Sequence, residues 1–252
     1  MARLFGTDGV RGIANVELTC EMAYRLGQAA AIYLGKTIVV GRDTRRSGDM
    51  LGAALSAGIM SAGGTVLEAG IIPTPGVALL VREMRAAGGA VISASHNPPE
   101  YNGIKFFDAQ GFKLPDAVED EIEAFIVNGG LEGEVAAAEE AAWSAAQAAA
   151  PDAPADATSY LASEIKMPAG AEVGVVIPLE NACDIYIDHA ARSIEEQGIS
   201  FKGLRIALDT GHGASSLTSP EALRRLGAEV SVINDDFDGM DINVRCGSTH
   251  LE

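Results

Sequence analysis

Apolar residues along the chain switch repeatedly between two periods. Residues 19 to 34, TCEMAYRLGQAAAIYL, place Met22, Ala23, Leu26, Ala30 and Tyr33 near helical spacing, with Thr19 in front as N-cap. KTIVVG then reads as a short buried strand. Beyond GRDTRRSGD, a small-residue helix is expected from about Met50 to Ala62, capped by Ser47 or Asp49. The plan repeats with TVLEAG as a strand, PTPGVALLVREMRA as a loop running into a helix, and GGAVISA as a third strand. IKFF returns as a strand, AQGF is its turn, and PDAVEDEIEAFI is an acidic amphipathic helix.

Strands alternating with helices through short polar turns predict an α/β fold with mixed, mainly parallel sheets covered by helices. Ligands bind such sheets at the carboxyl ends of the strands. That rule gathers three loops on one edge: GRDTRRS, IIPTP and SHNPPEYNG. From Glu132 to about Thr158 the composition shifts to alanine with scattered acids, helical on propensity at first and linker-like at PDAPADAT. PLENACDIYIDHAARSIEEQG is a further helix candidate. KGLRIALD, TGHGASS, PEALRRLG and AEVSVI then repeat the strand-loop-helix-strand order. The expected organisation is a first domain over 1–132, an alanine-rich insertion or linker over 133–175, and a second domain over 176–252 that stops soon after its second strand and is incomplete.

Composition narrows the partners. With 252 residues, 48% of them hydrophobic, the chain can bury one large core or two smaller ones. Its net charge of -17 would repel a phosphate backbone, so nucleic acid is excluded as a partner and any phosphate site must be locally basic. MARLFGTDGV has no apolar signal core, and no run reaches the roughly eighteen apolar residues of a membrane span, which predicts a cytoplasmic protein with no membrane partner. Cys20, Cys183 and Cys246 stand apart, and with His96, His189, His212 and His250 they form no zinc-ligand spacing.

Among the motifs, LGKT lacks the first glycine of a P-loop, since Ala30 stands there inside a helix. GHGASS lacks the third glycine of a dinucleotide fingerprint and has only a weak claim on phosphate. FGTDGVRG reads as a glycine-rich turn feeding a strand, with Arg11 its residue of interest. SASHNPPEYNGIK carries more chemistry. Pro98 and Pro99 stiffen a loop displaying Ser95, His96 and Asn97, while Asn102-Gly103 turns the chain back to Lys105. No G-x-S-x-G elbow is present, and adjacent Ser95 and His96 are poorly disposed to share a hydrogen bond, which argues against a serine hydrolase. Phosphoryl transfer needs a nucleophile, a proton carrier and cations for the charge on the equatorial oxygens. Ser95, His96, Lys105 and Arg11 supply that set; the competing reading is a polar turn that satisfies only its own backbone.

MARLFGTDGVRGIAN, VGRDTRRSG, ISASHNPPEYNGIKFF, IALDTGHGA and INVRCGSTH together resemble the α-D-phosphohexomutase superfamily, nearer its bacterial phosphoglucosamine mutase branch than its phosphomannomutase/phosphoglucomutase branch. The resemblance implies interconversion of glucosamine 6-phosphate and glucosamine 1-phosphate, on the route to UDP-N-acetylglucosamine, through a phosphoserine and a hexosamine 1,6-bisphosphate. It makes Ser95 that serine, a choice over Ser93 that spacing alone leaves open. His96 and Lys105 become the acid/base pair, Arg11 steadies the phosphoryl group, and Asn97 shapes the loop. Arg42 and Arg45 are either cleft residues or surface cations. The family holds Mg²⁺ between the serine phosphate and a D-G-D-G-D-R loop, and no such run occurs in the 252 residues, leaving only Ser95 as a metal contact through its phosphate. Asp209, Asp235, Asp236, Asp238 and Asp241 do not replace it, and NDDFDGMD reads as a solvated turn. The expectation is therefore an N-terminal portion of such a mutase, without the C-terminal domains that hold the sugar and its distal phosphate, and inactive alone. The alternatives are a portion of a phosphomannomutase/phosphoglucomutase, and a non-catalytic phosphosugar-binding or interaction protein.

Overall fold

The structure is a computed structural model that describes residues 3–6, 9–149 and 167–250. Six strands form the main sheet: β1 (Val10–Ile13), β2 (Thr37–Arg42), β3 (Thr65–Ile71), β4 (Gly88–Ile92), β5 (Tyr101–Asp108) and β6 (Val176–Pro178), in the order β1-β5-β4-β2-β3-β6. β2 pairs parallel with β3 and β4, and β3 with β6, whereas β5 runs antiparallel between β1 and β4. The sheet is mixed and mainly parallel, as expected. β7 (Arg205–Asp209) and β8 (Glu229–Ile233) make a separate two-stranded parallel sheet.

Alternation along the central strands sends side chains into two cores. Ile38, Val40, Ala90, Ile92, Ile104 and Phe106 join one, with helices α1 (Cys20–Ala29), α2 (Ser47–Ser61) and α4 (Asp116–Val127). Val39, Val91 and Phe107 join the other, with α3 (Thr74–Glu83) and the start of α6 (Ala182–Glu195). Both faces are covered, which is why these strands read as apolar runs. The first helix is capped as predicted, the Thr19 hydroxyl accepting from the Met22 N–H at 3.2 Å, and it closes in a π-helical turn over Ala30–Leu34. α1 and α2 pack closely because Gly27 and Gly58 lack side chains; a Cβ at either would run into the Leu55 or Tyr24 carbonyl.

Three local expectations change. Neither Ser47 nor Asp49 caps α2: Arg46 holds the cap position, the Ser47 hydroxyl accepts from the Asn102 amide at 2.9 Å, and Asp49 pairs with Arg42 at 2.6 Å. Asn102-Gly103 is not a turn but part of β5, with reversal completed upstream by Asn97 N–H to Ala94 O and Tyr101 N–H to Pro98 O. The segment from 176 adds β6 to the edge of the first sheet, and α6 packs on α3. The alanine-rich run is helix α5 (Gly130–Ala149), whereas PDAPADAT lies outside the described residues. Among the described residues, no helix is long and apolar enough to cross a membrane.

Candidate active site

The carboxyl ends of β2, β3 and β4 open onto one cleft of about 310 Å³. Asp43, Pro73, Ser93, Ser95 and His96 line it from the first sheet, and Ala214, Ser215, Asn243 and Ser248 from the segments around β7 and β8. Ser95 is exposed and sits at φ 56°, a left-handed conformation unusual for a residue with a side chain. Two side chains from the loops of the first sheet help hold this conformation. The Ser93 hydroxyl accepts the Ser95 N–H at 3.0 Å, so Ser93 serves the loop while the Ser95 hydroxyl faces the cleft.

Arg45 is the second. Only 1% exposed, it directs every guanidinium N–H at an acceptor. Nε donates to Asp43 Oδ2 at 3.0 Å, Nη1 to the carbonyls of Pro98 and Tyr101, and Nη2 to those of Ser95 and Asn97 at 3.1 and 2.8 Å. Asp43 also accepts the Arg45 backbone N–H through Oδ1 at 3.0 Å. Burial pushes the Arg45 pKa below its usual value, while the Asp43 charge and hydrogen bond oppose that shift. The proton stays on, because guanidinium is not deprotonated in proteins. A rigid five-donor fork suits this fan of carbonyls, which a lysine could not match.

The other predicted residues divide. His96 Nδ1 lies 3.5 Å from Ser95 Oγ, a long approach consistent with neighbours that cannot align. Strand register brings the two cations to the cleft's face of the sheet. Arg11 stands opposite Gly103 and Lys105 opposite Val91, a cleft residue, so Arg11, Gly103, Lys105, Val91 and Ser93 share one face. Glycine is needed at 103, where a Cβ would sit 2.9 Å from the Arg11 side chain and 2.7 Å from the Ser93 carbonyl. Lys105 Nζ also lies 5.9 Å from the Phe107 ring centroid. Arg42 does not reach this cleft; it pairs with Asp49 and lines another between α2 and β3.

Sequence reasoning undervalued GHGASS, whose Gly213, Ala214 and Ser215 line the same cleft as Ser95. The signal was available, since this run follows the carboxyl end of β7 as the other loops follow theirs. Asp209 organises the segment, accepting from Gly211 N–H and Gly247 N–H at 2.9 Å each and from the Asn234 amide at 3.0 Å. Burial raises its pKa, but these bonds and nearby His212 outweigh that and leave it lowered. Asn243, also missed, donates from Nδ2 to the Ser95 and Asn97 carbonyls at 2.9 and 3.1 Å.

Divalent magnesium needs oxygen ligands with carboxylates among them. Among the described residues, no three of His, Cys, Asp and Glu gather to hold a metal. At the cleft the Asp43 oxygens already accept from Arg45, and Asp235, Asp236, Asp238 and Asp241 are exposed in their turn. These residues do not by themselves form a magnesium site.

Residues 2–132 match the family described as phosphoglucomutase/phosphomannomutase, alpha/beta/alpha domain I, which is over half of the chain. The chain belongs to the phosphohexomutase family. Its relatives include proteins named phosphoglucosamine mutase from Alkaliphilus metalliredigens, 46% identical, and Clostridium novyi, 47% identical. Both alignments cover 100% of this chain, but 50% and 49% of those proteins, so this phosphohexomutase chain spans about half the length of the curated relatives it matches. The fold is shared with a crystal structure of a phosphoglucomutase/phosphomannomutase family protein from Burkholderia thailandensis, at TM-score 0.68 and 23% identity, over 94% of this chain and 45% of that one.

Proposed function

We propose that these residues form the phosphoryl-carrying part of a phosphoglucosamine mutase, with Ser95 as the carrier. The observation behind this reading is the display of Ser95, held left-handed by Ser93, Arg45 and Asn243, beside His96 in a cleft that Val91 also lines, Val91 sharing its sheet face with Arg11 and Lys105. The glucosamine assignment rests on the 46% and 47% identities to proteins of that name.

In the forward direction the sugar O1 of glucosamine 6-phosphate attacks the Ser95 phosphorus. The P–O bond to Ser95 breaks, giving a hexosamine 1,6-bisphosphate. The proton lost from O1 passes to one of His96 and Lys105, and the other protonates the Ser95 oxygen as it leaves. After the sugar reorients, Ser95 takes the 6-phosphoryl group back and glucosamine 1-phosphate departs. Arg11 balances charge on the equatorial oxygens, where positioning and electrostatics supply most of the catalysis. Bound Mg²⁺ would supply further charge neutralisation there. Its carboxylate ligands, and the contacts to the sugar and its distal phosphate, we place in sequence that the longer relatives carry beyond the matched half. We also place the protein in the cytoplasm, and divide the chain into a first unit over 1–132, joined by β6 and α6, and a second around β7 and β8.

The test is phosphopeptide mapping of a full-length mutase carrying these residues. Phosphate is expected within Ala90–Lys105, and Ser95→Ala should abolish both label and turnover. Label on Ser93, or turnover surviving Ser95→Ala, would defeat the assignment.

A further inference from the structure

Three segments tie the β7/β8 unit to the loops of the first sheet. The Thr44 hydroxyl donates to the His212 carbonyl, the Arg46 N–H donates to the Gly239 carbonyl at 3.1 Å, and Asn243 reaches Ser95. Only the last touches the serine itself. Its Nδ2 donates to the Ser95 and Asn97 carbonyls, the two that Arg45 Nη2 also holds. These carbonyls belong to the two residues flanking His96, so donors from two units hold the Ser95–His96 and Asn97–Pro98 peptide planes.

We infer that Asn243 is a positioning residue for the Ser95–His96 pair, through which docking of the β7/β8 unit sets the left-handed geometry of Ser95. The inference rests on the reading of Ser95 as the phosphate carrier, although the geometry it predicts is measurable without phosphate. Arg45 alone leaves each carbonyl with one donor. Adding the Asn243 amide, a neutral donor on a backbone anchored by its own N–H to the Gly211 carbonyl at 3.1 Å, restricts the rotation that would return Ser95 to an extended conformation. Asn243 is itself left-handed, at φ 63°, a conformation asparagine tolerates better than most residues. Side chain and backbone there serve one purpose: to aim a short amide across the cleft.

The left-handed backbone dictates the variants. Asn243→Gly keeps the conformation and removes only the amide, whereas Asn243→Asp keeps the shape but turns an oxygen toward two carbonyl oxygens. Asn234→Gly is the control. Asn234 is also left-handed, at φ 55°, and donates to Asp209 rather than to the loop. Amide exchange in the 252-residue chain, resolved at Ser95, Asn97 and Tyr101, is the readout. Asn243→Gly should speed exchange at Ser95 and Asn97 about tenfold, as expected for losing bonds worth about one such factor. Asn243→Asp should speed it more, and Asn234→Gly should leave it unchanged. In a full-length mutase, Asn243→Gly should lower kcat about tenfold with KM unchanged, because the affected group moves with the phosphoryl donor rather than with substrate binding. Loop exchange unchanged in Asn243→Gly, or accelerated equally by Asn234→Gly, would overturn the inference. Wild-type mutase without phosphate on Ser95 would instead defeat the carrier reading, while the exchange result still decides the positioning.

Discussion

Arg45→Met isolates the support beneath the Ser95 loop, because it keeps an apolar stem while removing five N–H donors together. The Ser95 and Asn97 carbonyls retain the Asn243 amide, whereas those of Pro98 and Tyr101 lose the guanidinium. Asp43, 5% exposed, keeps the backbone N–H of residue 45 but loses its counter-charge. Stripping one partner from a buried ion pair costs about 3–5 kcal/mol. An orphaned carbonyl adds about 1–3 kcal/mol if it stays dry, but the Pro98 carbonyl keeps the Tyr101 N–H and its exposed loop can rehydrate. The stranded carboxylate therefore dominates, and we expect a loss of about 3–5 kcal/mol against a typical domain stability of about 5–15 kcal/mol. Arg45→Lys should recover little, since three donors on a flexible stem cannot serve five directions. Adding Asp43→Asn to Arg45→Met should restore at least about 1.5 kcal/mol by removing the stranded charge. Urea unfolding followed by circular dichroism measures the loss, and amide exchange at Asn97 and Tyr101 shows whether the loop opens first. A loss below about 1 kcal/mol with the loop still protected would refute the reasoning, since an exposed pair would do as much.

In a full-length mutase, His96→Ala and Lys105→Ala should each reduce turnover about a hundred-fold to ten-thousand-fold without altering thermal stability, and Arg11→Ala should act through phosphate stabilisation; unchanged rates for all three would return the loop to a structural role. The 252-residue chain alone, its intact mass verified, should show no turnover of glucosamine phosphates in a coupled assay at any Mg²⁺ concentration, because the described residues gather no carboxylate set for the cation. Robust metal-dependent turnover would mean that an acidic group such as those of NDDFDGMD completes the site. Asp209, with its pKa lowered on folding, contributes stability that is fully present above the ordinary aspartate range and is lost as pH falls through the folded value. Urea midpoints measured from pH 6 downward should therefore fall more steeply for the native chain than for Asp209→Asn, and parallel curves would dismiss the carboxylate as the organiser of its turn.

Much of this architecture was legible because its elements follow local rules. The helix at Thr19 has its cap and its spacing, the strands at 37–42 and 88–92 are apolar runs buried on both faces, and the strand at 65–71 is a half-buried one. Once those strands were placed, the carboxyl-end rule put GRDTRRS, IIPTP and SHNPPEYNG on one edge. The same rule, applied to IALD, would have placed GHGASS there too; testing it against a nucleotide fingerprint hid its position. The strand at 176–178 was less accessible, since three residues carry no period, and only pairing with β3 defines them.

The side-chain roles were harder to read because charge in a sequence does not say which way it faces. Arg42 and Arg45 are three residues apart in one polar run and looked alike, yet one ends β2 and pairs with Asp49 near the surface and the other is sealed beneath Ser95. What separates them is the supply of acceptors. A buried guanidinium is tolerable only where its donors all find partners, and the Ser95 loop, stiffened by two prolines, presents four carbonyls toward one point. The loop thus needs the arginine as much as the arginine needs the loop. Each half of that dependence can be read from SHNPPEYNG and GRDTRRS separately, but the match between them exists only when β2 and β4 lie side by side in register.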